Sequence, residues 1–204
     1  MSLAALIAFS LFTVVVFGWR SVAQYRATGS TGFKGISGPP LSPSWWGGVL
    51  FVIGVVALPA AALLDVADLW STFRAPSTAM RVAGGVLCAL GMVGTSISQH
   101  TMGTSWRIGV DAQETTALVD DGIFGLVRNP IFTFMTIASI GFSLLVPHVL
   151  AIVGVVAVVV AIELQVRLVE EPYLIATHGD AWRAYAARVG RFVPGFGRWA
   201  TASS

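Results

Sequence analysis

The sequence predicts an all-α, polytopic integral membrane protein with about five transmembrane helices. The last two are expected to form a tight hairpin, followed by a helical segment at the cytoplasmic surface or membrane interface. The 204 residues are 55% hydrophobic and 11% charged, whereas an average soluble domain is about 25% charged. Mean hydropathy is +0.80. So few charges cannot cover a water-soluble surface, and the chain is best divided into membrane crossings of about 20 residues.

The first three predicted spans are uncharged runs separated by polar loops. The first, 2–19, is followed by basic residues, which is the reverse of a signal peptide, so we expect a retained helix. The second, 45–64, is entered by two tryptophans of the kind found at membrane interfaces. The third covers 82–106. Small residues that permit close helix packing in lipid recur along this third run: Gly84, Gly85, Gly91 and Gly94.

The region 129–162 has no charged residue and is too long for one crossing. As a straight helix it would extend roughly 50 Å at 1.5 Å per residue, whereas a hydrocarbon core is about 30 Å thick. Pro147 and His148 mark a turn within it. We therefore predict a tight hairpin of helices 131–146 and 149–168, which brings the total to five spans.

The basic residues lie mostly on one side of these predicted helices. Arg74 and Arg81 fall between the second and third spans, and the other ten of the twelve basic residues fall on the opposite side. The positive-inside rule then places the N-terminus outside and the C-terminus in the cytoplasm, in a bacterial-type inner (plasma) membrane. We divide the chain into a two-helix membrane region, 1–79, and a core of three helices with a cytoplasmic tail, 80–204.

Polar residues gather on the predicted cytoplasmic side, at the start of the fourth helix and the end of the fifth. Asn129 and Pro130 have the chemistry of an N-cap and a first helical residue. The free N–H groups there, with Arg128 beside them, suit an anionic group. The pattern also fits a capped helix whose arginine reaches the headgroups. Glu170 and Glu171 are either solvated, or they hold ribose hydroxyls or neutralise a sulfonium or ammonium cation.

Other polar features carry weaker predictions. Glu163 and Arg167 are spaced for an ion pair that is mainly structural. Cys88, which lies within an apolar run, is predicted to be a small packing residue. The tail 173–198 mixes aromatic and basic residues, which suits an interfacial helix whose aromatic side lies on the membrane or on a ligand. No basic stripe indicates nucleic acid. No metal site is predicted, because the histidines lie in three separate segments: His100, His148 and His178.

Four short motifs follow one another in the C-terminal half of the chain. They are Gly122-Ile123-Phe124 with Val127-Arg128-Asn129-Pro130-Ile131-Phe132, then Glu170-Glu171, then Gly179-Asp180 to Tyr185, then Arg191-Phe192-Val193-Pro194. Their order resembles the isoprenylcysteine carboxyl methyltransferase family and its phospholipid methyltransferase relatives. That family has Arg-His-Pro-x-Tyr, a helical hairpin, Glu-Glu and a later aromatic residue. Here Asn129 replaces the histidine and Phe132 the tyrosine, and an asparagine cannot titrate.

The resemblance implies a pocket for S-adenosylmethionine between the cytoplasmic ends of helices three to five, closed by the C-terminal segment. The cofactor contacts that it implies are Arg128, Asn129, Pro130, Glu170 and Glu171, with Tyr185 closing over the cofactor. The sequence itself adds polar and aromatic groups that face the same region: Gln99, His100, Trp106 and Arg107. Arg107 is the candidate for steering an anionic acceptor.

The predicted reaction transfers a methyl group to a membrane-embedded or lipophilic small acceptor, a carboxylate, thiol or amine, at the cytoplasmic face. Membrane lipids are the other expected partners. The catalytic candidates are Arg107, Arg128 and Glu170. Methyl transfer requires alignment and exclusion of water, and a thiol or amine also loses a proton, for which Glu170 or His100 is the candidate base.

Two alternatives belong to other classes. One is an NADPH-dependent, sterol-type membrane reductase, since those enzymes resemble the same helical architecture. The other is a non-catalytic membrane scaffold, in which Arg128 and Glu170 form a structural ion pair. Cofactor binding discriminates between all three functions.

Overall fold

The computed structural model describes residues 2–33, 35–36, 38–70, 72–73, 75–107 and 117–199, and the regular elements in these ranges are all helical. They are α1 (Ser2–Thr28), α2 (Pro43–Val66), α3 (Thr78–Met102), α4 (Pro130–Leu145), α5 (Val149–Gln165) and α6 (Glu171–Arg188), with short 3₁₀ turns at Gly103–Ser105 and Gly122–Gly125. The all-α prediction is confirmed. Lys34 and Arg74, which entered the charge count, lie outside the described residues.

Several helices have the length and apolar composition of membrane spans. Within the described ranges there are four such stretches: Ser2–Thr28, Pro43–Val66, Thr78–Ser105 and Val149–Arg188. Helix α4 is also apolar but has 16 residues, which is about 24 Å at 1.5 Å per residue and is shorter than a typical bilayer core. The predicted polytopic architecture is confirmed, with a shorter apolar helix where the sequence predicts the fourth of five spans.

The hairpin between α4 and α5 is confirmed, and hydrogen bonds and ring packing hold its turn in place. The Pro147 carbonyl accepts a hydrogen bond from the Phe73 N–H at 3.3 Å. The buried His148 caps α5 through Nδ1, which accepts from the Leu150 N–H at 3.0 Å, and its ring packs edge-on against Trp70. His148 therefore has a structural role at the end of the bundle.

Two long helix pairs build the bundle: α3 packs along α4, and α2 packs along α5. Glycine allows the close approach that the third apolar run predicts. A Cβ atom on Gly84 would lie 2.8 Å from the Gly141 carbonyl oxygen, and one on Gly91 would lie 2.7 Å from the Phe134 carbonyl oxygen. Gly94 is equally enclosed, whereas Gly85 faces open space.

Three irregularities interrupt the helices. A π-helical turn, Val14–Trp19, lies within α1, and a second, Val166–Glu170, joins α5 to α6. Helix α6 is kinked at Gly179, whose φ of 52° and ψ of −122° favour glycine. The second π turn ends at the first of the two predicted glutamates, so it lies directly at the candidate site, where such turns are often found.

Candidate active site

The start of α4 is bound to the chain segment that follows α6. The Arg128 N–H donates to the Gly190 carbonyl at 2.8 Å, and the Asn129 N–H donates to the Arg191 carbonyl at 3.1 Å. As predicted, Asn129 precedes the helix and Pro130 is its first residue. The Asn129 amide does not cap the helix, however, because Nδ2 also donates to the Arg191 carbonyl at 3.1 Å.

The Arg128 guanidinium is buried and ties together the end of α6 and the tail. Its Nη1 donates to the carbonyls of Ala186 at 2.9 Å and Val189 at 2.6 Å, and its Nη2 donates to the Gly197 carbonyl at 3.2 Å. Carbonyls at a helix C-terminus lack intrahelical partners, and a guanidinium offers five N–H donors in a fixed plane. Arg128 therefore closes the end of α6 while it holds the tail against α4.

Glu171 is the buried counter-charge of this cluster. Its Oε1 accepts from Arg128 Nη2 at 2.9 Å and from Arg191 Nε at 2.8 Å, and its Oε2 accepts from Arg191 Nη2 at 2.9 Å. The hydrogen bond to Glu171 raises the pKa of Arg191. One carboxylate thus bridges two guanidiniums. The buried pair is Arg128–Glu171, whereas the scaffold alternative expects Arg128 to pair with Glu170.

A pocket lies against this cluster, between α3, α4 and α6. Its walls are mainly apolar and aromatic, with a few charged or amide groups. Six of the predicted site residues line it: Arg107, Arg128, Asn129, Glu170, Glu171 and Tyr185. The wall residues that the sequence did not single out include Leu118, Phe124, Leu174 and Trp182.

Glu170 and Arg107 supply opposite charges within the pocket. The half-buried Glu170 carboxylate lies near the Gln165 amide and is attracted by the positive charge of Arg107. The Arg107 guanidinium carbon lies 5.1 Å from the centre of the Tyr173 ring. The pocket therefore combines a carboxylate, a cation and an aromatic surface.

Two aromatic residues of α6, Trp182 and Tyr185, are part of the pocket wall. The Tyr185 hydroxyl donates to the Phe124 carbonyl at 2.8 Å, and both Tyr185 and Trp182 are almost fully buried. The Trp182 ring lies 5.7 Å from the Arg128 guanidinium carbon and 5.1 Å from the Trp199 ring. Their three-residue spacing places them on one face of the helix, which is part of the aromatic side that the sequence predicts to lie on the membrane or on a ligand.

The structure does not bring every predicted site residue into the pocket. Gln99 is buried between α3 and α1, where its Nε2 donates to the Val16 carbonyl at 3.0 Å within the π turn. His100 is exposed outside the pocket lining, and Pro130 is buried at the start of α4. Trp106 is buried, and the Arg20 guanidinium carbon lies 4.8 Å from the centre of its ring.

The Glu163–Arg167 ion pair is formed, as the i, i+4 spacing predicts, and both side chains are substantially exposed. Neither residue lines the pocket. Glu163 is therefore a carboxylate close to Glu170 in sequence but separate from the pocket.

The sequence model of the phospholipid methyltransferase family matches residues 79–181. The match begins in α3, contains α4 and α5, and ends in α6 just beyond the kink at Gly179. Arg107, Arg128, Glu170 and Glu171 lie within it, whereas Tyr185 and Arg191 follow it. None of the curated proteins matches the chain.

Proposed function

The chain belongs to the phospholipid methyltransferase family, and from this membership we propose that it transfers a methyl group from S-adenosylmethionine to a lipophilic acceptor in the membrane. Membership of this family indicates that the protein is a membrane methyltransferase. One observation supports the finer proposal: the Glu170 carboxylate lies in an aromatic pocket beside the Arg107 guanidinium.

The chemistry of the pocket suits S-adenosylmethionine. The cofactor contains a sulfonium cation, an amino group, a carboxylate, ribose hydroxyls and an adenine ring. Glu170 matches the cationic groups or the hydroxyls, and Arg107 matches the carboxylate. Tyr173, Phe132 and Trp182 offer rings that suit the adenine. When bound, the cofactor supplies an electrophilic methyl group.

The protein's own residues then have four tasks. Glu170 neutralises positive charge in the pocket, and Arg107 orients an anionic group. The apolar and aromatic walls exclude water, which strengthens both interactions. A carboxylate acceptor requires no base, whereas a thiol or amine loses a proton, and Glu170 is placed in the pocket to accept it at a carboxylate oxygen.

The cluster of Arg128, Glu171 and Arg191 positions the site. Its hydrogen bonds are directed to the end of α6 and to the tail, and these contacts hold Trp182 and Tyr185 in the pocket wall. Arg128 and Glu171 therefore act by keeping the pocket closed, while Glu170 and Arg107 face what it binds.

The proposal places this site at the cytoplasmic face. The basic residues are concentrated on the side of the predicted spans that carries the pocket, and the positive-inside rule assigns that side to the cytoplasm. The N-terminus is then outside, in a bacterial-type inner membrane. Cysteine-accessibility labelling of Ala75→Cys, in the exposed loop between α2 and α3, and Asp180→Cys in intact cells tests this assignment, because only the first should react with a membrane-impermeant maleimide.

Isothermal titration of the detergent-purified protein tests the proposed function. S-adenosylmethionine and S-adenosylhomocysteine are expected to bind, and Glu170→Gln is expected to weaken S-adenosylmethionine at least about tenfold, or about 1.4 kcal/mol. Glu163→Gln is the matched control, because Glu163 lies outside the pocket. Binding of NADPH instead would indicate the reductase, and the absence of all binding by folded protein would indicate the scaffold.

The same titration identifies what Glu170 recognises. S-adenosylmethionine carries a sulfonium charge that S-adenosylhomocysteine lacks, whereas both have the ribose. If Glu170 neutralises the sulfonium, Glu170→Gln should therefore weaken the binding of S-adenosylmethionine and leave the binding of S-adenosylhomocysteine unchanged. An equal loss for both ligands would assign Glu170 to a group that both carry, the amino group or the ribose hydroxyls.

A further inference from the structure

The short turn that follows α3 has one side in the active-site pocket and another side against α1. Met102, Ser105 and Arg107 line the pocket. The backbone carbonyls of Gly103 and Thr104 instead accept hydrogen bonds from side chains of α1. The contacts with α1 therefore set the position of the turn that carries Arg107.

Two polar side chains near the C-terminal end of α1 donate to these carbonyls. Gln24 is 4% exposed, and its Nε2 donates to the Thr104 carbonyl at 2.8 Å. Arg20 Nη2 donates to the Gly103 carbonyl and also to Gln24 Oε1, the latter at 3.1 Å. Both the oxygen and the nitrogen of the buried Gln24 amide are thus bonded, so the amide is held in one orientation and the turn is held with it.

Trp106, which directly precedes Arg107, packs against the same part of the chain. The Arg20 guanidinium carbon lies 4.8 Å from the centre of the Trp106 ring. A Cβ atom on Gly32 would lie 3.0 Å from the ring carbon Cζ3 and 3.4 Å from the Trp106 carbonyl oxygen. Gly32 also has a φ of 76°, which favours glycine. The Trp106 ring therefore anchors the turn to α1 and to the loop that follows it.

We propose that Arg20 and Gln24 are positioning residues that hold Arg107 in the pocket and thereby set the affinity of the site for the carboxylate of its ligand. The proposal rests on the proposed function, in which Arg107 orients an anionic group. Neither Arg20 nor Gln24 lines the pocket, so each acts through the turn. A binding group has to be held to within about 0.5 Å of its productive position, and hydrogen bonds from α1 supply that constraint.

This contribution comes from outside the part of the chain that matches the family model. The match begins at residue 79, whereas Arg20, Gln24 and Gly32 belong to α1 and the loop after it. The N-terminal region of the chain therefore takes part in ligand recognition, although it supplies no side chain to the pocket lining.

Titration with two ligands that differ in the carboxylate tests the proposal. 5′-Methylthioadenosine has the adenine, ribose and thioether of S-adenosylhomocysteine but lacks the amino and carboxylate groups. Gln24→Leu removes the donor to the Thr104 carbonyl and should weaken S-adenosylhomocysteine about fivefold, or about 1 kcal/mol. Its affinity for 5′-methylthioadenosine should stay at the wild-type value, whereas a general loss of stability would weaken both ligands alike.

Gln99→Leu is the matched control. It removes the same kind of hydrogen bond, from a glutamine amide to a backbone carbonyl, and this bond also joins α3 to α1. Because its acceptor is Val16 and not the turn, both ligands should bind Gln99→Leu as they bind the wild type. Arg107→Gln should itself weaken S-adenosylhomocysteine, and adding Gln24→Leu to it should have no further effect, because residues that act through one group are not additive.

Three results would overturn the proposal: an equal loss for both ligands in Gln24→Leu, no loss for either, or an effect that adds fully to that of Arg107→Gln. Arg20→Met, which removes the donor to the Gly103 carbonyl, replaces Gln24→Leu if that variant does not fold. Failure of the proposed function is distinguishable, because the wild type then binds neither ligand. Hydrogen exchange then decides: amides 103–107 should exchange faster in Gln24→Leu than in Gln99→Leu, and equal exchange would refute the positioning role.

Discussion

Glu170 and Glu171 are adjacent in sequence, but their carboxylates lie in different surroundings. Glu171 accepts three hydrogen bonds from two arginines, whereas Glu170 lies with Arg107 in the pocket. Successive residues on a helix point about 100° apart, and here the first ends the π turn and the second begins α6. The pair therefore combines a positioning carboxylate and a ligand-facing one.

This difference predicts that substitution of Glu171 mainly lowers stability, whereas substitution of Glu170 mainly weakens donor binding. Glu171→Gln leaves the buried Arg128 and the partly buried Arg191 guanidinium without their counter-charge, so the unfolding free energy should fall by about 3–5 kcal/mol. Glu170→Gln should change stability by less than about 1 kcal/mol while it weakens donor binding. Chemical unfolding in detergent, followed by tryptophan fluorescence, measures both. Equal stability of the two variants would contradict the assigned roles.

Removing the Tyr185 hydroxyl should lower stability without abolishing the pocket. Tyr185→Phe keeps the buried ring but leaves the Phe124 carbonyl without the hydrogen bond that now measures 2.8 Å. The expected loss is about 1–2 kcal/mol, measured by the same unfolding experiment. Tyr173→Phe is the control for a pocket hydroxyl. A larger loss of donor affinity than of stability would instead assign the Tyr185 hydroxyl a direct contact with the ligand.

Gly190 should not tolerate even a methyl group. A Cβ atom there would lie 2.2 Å from the Val193 carbonyl oxygen and 2.7 Å from that of Phe196, and the Gly190 carbonyl accepts from the Arg128 N–H. Gly190→Ala should therefore displace the tail and cost at least about 1–3 kcal/mol.

Gly85→Ala is the control, since Gly85 has open space and a helical alanine is favoured over glycine by about 1 kcal/mol. The two alanine variants should shift the unfolding midpoint in opposite directions. A wild-type midpoint for Gly190→Ala would show that the tail accommodates the methyl group by moving.

Gln99 should matter for stability and not for the cofactor. Gln99→Leu removes the hydrogen bond to the buried Val16 carbonyl, and an unsatisfied buried group costs about 1–3 kcal/mol. S-adenosylmethionine affinity, measured by titration, should stay within about twofold of wild type, because Gln99 does not line the pocket. A selective loss of affinity would restore the role that the sequence suggested.

The sequence alone was sufficient to predict the helices and the charged residues at the helix ends that border the site. Uncharged runs and the break at Pro147 locate the hairpin because lipid requires continuous apolar helices. The positions of Arg128, Glu170 and Glu171 follow from short motifs at helix ends. These features depend on local pattern, which a single sequence contains.

The partners of polar residues could not be predicted in the same way. Gln99 occupies the predicted third span, but only tertiary packing shows that it faces α1 rather than the pocket. Arg191 begins one of the quoted motifs, but the sequence does not show that it pairs with Glu171. The apolar walls were also missed, since the motifs that contain Phe124 and Trp182 do not distinguish a pocket from a core.

The ties between Arg128 and the tail also set an order of assembly. The carbonyls of Ala186, Val189 and Gly197 are synthesised after α1 to α5 are complete. A chain still on the ribosome can insert α1 to α5 and yet lack the closing contacts of its pocket. Nascent chains arrested before Val189 should therefore be membrane-inserted but unable to retain a methyl donor, so that binding competence arises only after Val189 and Gly197 have been synthesised.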